Sequence, residues 1–264
     1  MRRTFLIATN TLKEASRQKL MLLLALIALV LVASSNYFLK LDIGHERLKF
    51  VFDFTSGALG FFGSIIAIIA TCQIVHSELE NRTATTLLSK PVGRLGFVCG
   101  KAFGVFAALA IFTAVVAVAG TSMLAYTYIS FGESAQKLSQ GLTINYFGVS
   151  VFCFVQWLRL CTIASITTLV CTLSSSLLFS AVISFAIMAI GMIGSAIEFF
   201  GAKENFASQI ASVLFPNLQV FSVAETFAFE EVSLKIFAMC SAYAVIYIAV
   251  CLCLSAFAFS KREF

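Results

Sequence analysis

Apolar residues in this chain occur in long uninterrupted runs that are separated by short polar segments. Six runs reach the length of about 20 residues that a helix needs to cross the roughly 30 Å hydrocarbon core of a bilayer. They cover about 20–39, 54–75, 102–128, 147–173, 177–200 and 236–259, and the only two prolines, Pro91 and Pro216, lie outside all six. The pattern predicts an all-α integral membrane protein with six transmembrane helices, forming one domain over residues 1–264.

Composition and the distribution of charge agree with this prediction and add an orientation. The chain is 60% hydrophobic and 12% charged, which is more apolar surface than a soluble core buries, so the lipid bilayer is an expected partner. With six spans both termini lie on one side, which carries eleven Lys and Arg against four Glu, whereas the other side carries six against eight Asp and Glu. The positive-inside rule predicts cytoplasmic termini in a cell (inner) membrane. The net charge of +5 then reflects topology, and we expect no nucleic-acid partner.

The first 19 residues are more polar than the run that follows them. Arg2 and Arg3 resemble part of an export signal, but polar residues between positions 9 and 19 separate them from the apolar run. Placed on a helix, one stripe is apolar, and it contains Phe5, Ala8, Leu12 and Ala15. The segment 2–19 is interpreted as an amphipathic helix at the membrane interface.

Residues 76–101 form the longest polar stretch that carries an ordered pattern. Ser77 and Glu80 have the spacing of a capping box, which starts a helix, and Lys90-Pro91 ends one. The pattern predicts a short amphipathic helix over 76–92. It leaves two interpretations open: a helix that rests on the membrane surface, or an element that docks on a partner.

This stretch resembles the signature loop of ABC-2 type permeases, the membrane subunits of a class of ATP-binding-cassette (ABC) transporters. The residues that match in order and spacing are Glu78, Thr83, Pro91, Arg94, Gly100 and Lys101. The six spans, the amphipathic entry helix and the short basic tail also resemble that family. Arg82 departs from the pattern, since the family usually has glycine before the threonine.

The resemblance implies that 76–92 is a coupling helix that docks on a cytoplasmic ABC ATPase subunit. Glu78 would face basic groups of the ATPase or of the entry helix, and Leu79 and Leu87 would fill an apolar groove, with Thr83, Pro91 and Arg94 completing the coupling segment. The resemblance also implies a second copy of the chain, or a sibling permease, as a partner.

The chain is not expected to be an enzyme. The stretch Gly96–Ala102 has one residue too few between its glycines for a phosphate-binding loop, and it ends in Ala where Ser or Thr must reach magnesium. We expect no cofactor on this chain, with ATP and magnesium bound by the partner ATPase. The cysteines and histidines lack the spacing of metal ligands, so no metal site is expected either.

Two ionisable residues, Arg159 and Glu198, lie inside predicted spans. Such residues mark functional sites by default because a charge in hydrocarbon is costly. We favour a structural ion pair between Arg159 and Glu198 over a substrate site, because a partnered charge need not bind anything.

The segment 203–235 on the other side is too apolar for a free loop, and it predicts two short re-entrant or surface helices broken at Pro216. The resemblance makes Phe215, Pro216 and Asn217 a candidate outer gate, and a hairpin that only packs on the bundle is the alternative. The function implied is export of an unidentified substrate, coupled to ATP hydrolysis. The alternative is a non-transporting subunit that passes ATP-driven motion to an extracytoplasmic partner.

Overall fold

The chain folds into a bundle of long helices. The computed structural model describes the backbone of residues 2–39, 47–80, 94–138, 144–199 and 216–261, and the side chains of 4–38, 48–77, 96–130, 144–192 and 216–259. These residues form seven α-helices and one 3-10 helix. In chain order they are α1 Arg2–Ser16, α2 Lys19–Leu39, α3 Arg47–Glu80, α4 Arg94–Leu138, α5 Tyr146–Leu173, α6 Leu177–Phe199, the 3-10 helix η1 Leu218–Ala228, and α7 Leu234–Lys261.

Five of these helices are long and apolar enough to cross a membrane: Lys19–Phe38, Leu48–Ser77, Gly96–Ser130, Tyr146–Leu173 and Leu234–Phe259. The apolar part of α6 that the structure describes is shorter, Leu177–Met192. Five of the six predicted spans are therefore present by length and composition, and the remaining one, 177–200, stays a prediction. The chain is a multi-pass membrane protein.

Two helices are much longer than the apolar runs that predicted them. The second run, at 54–75, belongs to a helix that begins at Arg47, and the third, at 102–128, belongs to one that covers Arg94–Leu138. Backbone hydrogen bonding continues through the polar residues at both ends of a helix, whereas an apolar run marks only the part that is embedded in hydrocarbon. Both helices end well outside the predicted boundaries.

α5 lies at the centre of the bundle, where it packs against α3, α4, α6, α7 and η1. Its 28 residues are buried on nearly all sides, in contrast to α2, which is largely exposed. Small hydroxyl side chains along its second half, including Thr162, Ser165 and Thr168, donate hydrogen bonds to carbonyls three or four residues earlier. Such residues satisfy their own polar groups and let neighbouring helices approach closely.

Helices α3 and α5 run in the same direction, with Phe52 packed against Phe152 near their starts and Cys72 beside Cys171 near their ends. They define two ends of the bundle. The end with α1, the last turn of α3 and the start of α4 is called the α1 end. The opposite end carries η1 and the start of α5, and is called the η1 end.

Candidate functional site

The segment predicted to dock on an ATPase joins the end of α3 to the start of α4. Glu78 and Leu79 belong to the last turn of α3, and Arg94 is the first residue of α4, but their side chains lie outside the described part. Thr83, Leu87 and Pro91 lie outside the described residues altogether. The roles of these residues stay predictions, and the geometry available is that of the two helix ends that carry the segment.

The prediction that a new helix starts at Ser77 is wrong. α3 is continuous through Ser77 to Glu80, so residues 76–80 of the predicted coupling helix are its last turn. The Ser77 hydroxyl oxygen lies 3.2 Å from the carbonyl of Ile74 and 3.2 Å from a carboxylate on α1, and its single proton is shared between these two acceptors. The hydroxyl is thus engaged with a preceding carbonyl and with another helix, and it does not cap a following turn.

A carboxylate on α1 joins the two helix ends to each other. Glu14 Oε1 accepts a hydrogen bond of 3.2 Å from Ser77 Oγ on α3, and Glu14 Oε2 lies 3.4 Å from Lys101 Nζ on α4. Lys101 is buried, whereas the Glu14 side chain keeps 36% of its exposure. One residue of α1 therefore contacts both helices between which the coupling segment lies.

Three glycines on one stripe of α4 explain how α1 comes close enough for these contacts. Gly96, Gly100 and Gly104 face α1, and a Cβ at Gly100 would lie 3.0 Å from the Ile7 side chain. A Cβ at Gly104 would overlap Thr11, which is fully buried. These glycines let α1 pack closely against α4.

The buried face of α1 differs from the predicted apolar stripe. Ala15 is fully buried, but Phe5 is 72% exposed and Leu6 62% exposed. The helix turns Thr4, Ile7 and Thr11 towards the glycines, because small and β-branched side chains fit a narrow glycine surface better than phenylalanine does. The large apolar residues Phe5 and Leu6 are left on the outside of α1, and the position of this helix at the membrane interface stays a prediction.

The last turns of α3 pack firmly into the bundle. His76 is buried, and its Nδ1 lies 3.2 Å from the carbonyl of Cys72. The sulfur of Cys72 is 3.6 Å from that of Cys171 on α5, and both thiols are free and buried. In the described part of the chain no three His, Cys, Asp or Glu side chains are grouped as metal ligands. These contacts make the end of α3 continuous with the central helix.

Arg159 lies at the middle of α5 and is buried, with 9% of its surface exposed. Its Nη1 donates a 3.3 Å hydrogen bond to Gln156 Oε1, one turn earlier on the same helix. Glu198 belongs to α6, but its side chain lies outside the described part, so the predicted ion pair of Arg159 and Glu198 stays a prediction.

Pro216 and Asn217, two of the three predicted gate residues, lie between α6 and α7 just before η1; Phe215 lies outside the described residues. The Asn217 amide donates a 2.9 Å hydrogen bond to the Tyr243 hydroxyl on α7, and its side chain caps η1 by accepting from the Gln219 amide. Gly191 of α6 leaves room for the Pro216 carbonyl, which a Cβ there would approach to 2.5 Å. The structure brings this pair against both neighbouring helices.

Pro216 also borders a half-open apolar cavity of 480 Å³ between α5, α6 and α7, and two of its lining residues, Leu173 and Phe179, are exposed on the outer surface of the bundle. The cavity extends to Leu173 and Ser174 at the α1 end, and Tyr247 and Cys251 of α7 line one wall. An elongated apolar space beside the candidate gate is where an apolar or amphiphilic molecule would fit.

Sequence reasoning did not identify Glu14 or Tyr243 as site residues. Glu14 contacts residues 63 and 87 positions away in sequence, and Tyr243 contacts Asn217, which is 26 positions away. The stripe Gly96, Gly100, Gly104 is the one local signal that indicates a close helix contact on α4.

A model of the family described as ABC-2 family transporter protein matches residues 5–264. No curated protein matches the chain.

Proposed function

The chain belongs to the ABC-2 family of transporter proteins, and from this premise we propose that it couples ATP hydrolysis by a separate ATPase subunit to export of a substrate. It is a permease subunit of an ABC transporter. This chain docks on the ATPase through its 76–92 segment, with Glu78, Leu79 and Leu87 in contact with the ATPase.

One observation carries the coupling proposal: Glu14 of α1 holds Ser77 and Lys101 at the same time. When the ATPase displaces the segment between α3 and α4, both helix ends are displaced, and the contacts of Glu14 make them move together with α1. Rigid helices that share contacts transmit such displacements. α3 would then carry the movement to α5 through the packed pair Cys72 and Cys171.

The remaining parts of the proposal concern assembly and location. Two permease domains face two ATPases, so the chain pairs with a second copy or with a sibling permease. We expect the α1 end and both termini to lie in the cytoplasm, at the cell (inner) membrane, because that side of the predicted topology is the more basic one. ATP and magnesium are bound by the ATPase and not by this chain.

Export is favoured over a non-transporting role by the apolar cavity that extends from Ser174 to Pro216. A subunit that only transmits motion to an outer partner needs no such space. The cavity suits apolar or amphiphilic cargo because its wall is almost entirely hydrocarbon.

The coupling proposal is tested by hydrogen–deuterium exchange on the complex of the chain with its ATPase, with and without a non-hydrolysable ATP analogue. We expect the analogue to change exchange in α1 and in the first turns of α4, and Glu78→Arg to abolish that change while the protein stays inserted. Glu230→Arg, a charge reversal at the η1 end, is the matched control. An analogue effect that survives in Glu78→Arg contradicts docking through this residue.

A further inference from the structure

Arg159 poses an electrostatic problem for the bundle. It lies at the middle of a 28-residue helix, so both ends of α5 are about 20 Å away along the helix axis. An arginine side chain cannot span that distance to reach water. Its charge must therefore be neutralised inside the protein.

The contacts within α5 do not supply that neutralisation. Gln156 accepts from Arg159 Nη1 at 3.3 Å, but an amide is uncharged. Arg159 Nε and Gln156 Nε2 are both buried and have no hydrogen-bond partner among the described residues. One of these two unpaired donors belongs to the guanidinium cation and the other lies beside it. Because buried donors are costly when unpaired, the arrangement favours an anionic acceptor nearby.

A carboxylate reaches this region from η1. Glu225 Oε1 accepts a 3.0 Å hydrogen bond from Ser56 Oγ on α3. One turn further along α3, a Cβ at Gly60 would lie 3.4 Å from Arg159 Nη1, so the guanidinium rests against that glycine. Glu225 and Arg159 thus meet adjacent turns of one helix face. They are not in direct contact, but the carboxylate is close enough to favour the charged form of the guanidinium.

Both ends of η1 are fixed to neighbouring helices, which keeps Glu225 near this place. At the start, the Asn217 amide is bonded to Tyr243. At the end, the Ala228 carbonyl accepts a 3.0 Å hydrogen bond from the amide of Asn145, the N-cap of α5. Ser56 uses one oxygen of the Glu225 carboxylate, and a carboxylate accepts several hydrogen bonds, so the group retains capacity for Arg159.

We propose that Glu225 is the counter-ion of Arg159, and that this pair keeps η1 docked inside the bundle. If η1 moves out, the two charges separate in apolar surroundings, which is strongly unfavourable. The pair then determines whether the segment from Pro216 to Ala228 is docked or released. The pair would hold η1 whether or not an ATPase binds and a substrate is exported.

A double-mutant cycle on the full chain in mild detergent tests the pairing. Arg159→Gln and Glu225→Gln are each expected to lower the unfolding temperature by several degrees, and the double variant is expected to lose much less than the sum of the two. The same cycle with Glu198→Gln in place of Glu225→Gln is expected to be additive. Additivity for Glu225 together with coupling for Glu198 would overturn the proposal and favour the other carboxylate.

A local readout separates a docking role from general destabilisation. In Glu225→Gln we expect amide hydrogens of residues 218–228 to exchange about tenfold faster, with exchange in α3 and α4 unchanged. Glu230→Gln, which removes an exposed carboxylate just after η1, is the matched control with no effect expected. The exchanged pair, Arg159→Glu with Glu225→Arg, is expected to recover part of the protection of η1. Unchanged exchange in η1 for Glu225→Gln would refute the proposal.

Discussion

The contact between Glu14 and Lys101 allows the coupling account to be tested by a small chemical change. Glu14→Gln replaces one carboxylate oxygen by an NH2 group and keeps the other oxygen, which can accept the hydrogen bond from Ser77. What is lost is the charge opposite Lys101, whose Nζ lies 3.4 Å away. The perturbation is therefore electrostatic, with little change in packing.

The expected magnitude lies between two limits. An exposed ion pair contributes up to about 1 kcal/mol, whereas removing one partner of a fully buried pair costs about 3–5 kcal/mol. Lys101 is buried but Glu14 keeps 36% of its exposure, and 3.4 Å is long for such a contact. We expect a loss of about 2 kcal/mol, which lowers the unfolding temperature by about 5 °C in a chain of this size.

The assay is thermal unfolding in detergent for Glu14→Gln, Lys101→Met and the double variant, with Glu230→Gln as a control for removing a carboxylate elsewhere. If the two residues stabilise one contact, the double variant loses less than the sum of the single losses. An unfolding temperature of Glu14→Gln equal to that of wild type, or strict additivity, would refute the reasoning.

Two further predictions concern the η1 end. Gly148→Ala places a Cβ on a backbone carbonyl of η1 and is expected to lower the free energy of unfolding by about 3 kcal/mol. Gly57→Ala is the control, because nothing lies within 4 Å of a Cβ there, and it should be neutral or slightly stabilising. Unfolding temperatures of the two variants are compared with that of the wild type. Tyr243→Phe removes the acceptor of the Asn217 amide hydrogen bond and should cost about 1 kcal/mol and speed exchange of that amide. Tyr126→Phe, at an exposed position, is the control, and equal exchange in the two variants would contradict the assigned role.

The positions of five spans followed from the sequence because hydrocarbon imposes a simple requirement of length and apolarity. The same requirement says nothing about where a helix ends in water. α3 extends from Arg47 to Glu80, and the capping signal at Ser77 was overridden by tertiary contacts with α1. Apolar runs thus predict the embedded part of a helix better than its ends.

Partners of buried polar residues were harder to predict, since they are set by contacts between helices distant in sequence. Glu225, which the charge pattern places in an outer loop, lies against Ser56, 169 positions earlier. Gly60 of α3 accommodates Arg159, and Gly191 of α6 accommodates Pro216. A small-residue pattern indicates close approach without identifying what approaches.

The most direct test of the central claim is co-purification of the tagged wild-type chain and its Glu78→Arg variant in mild detergent, followed by mass spectrometry of the bound proteins. We expect a separate polypeptide with a nucleotide-binding phosphate loop to accompany the wild type and to be lost with Glu78→Arg, while Glu230→Arg retains it. Recovery of no such ATPase with the wild-type chain would contradict the claim that a separate ATPase drives this permease.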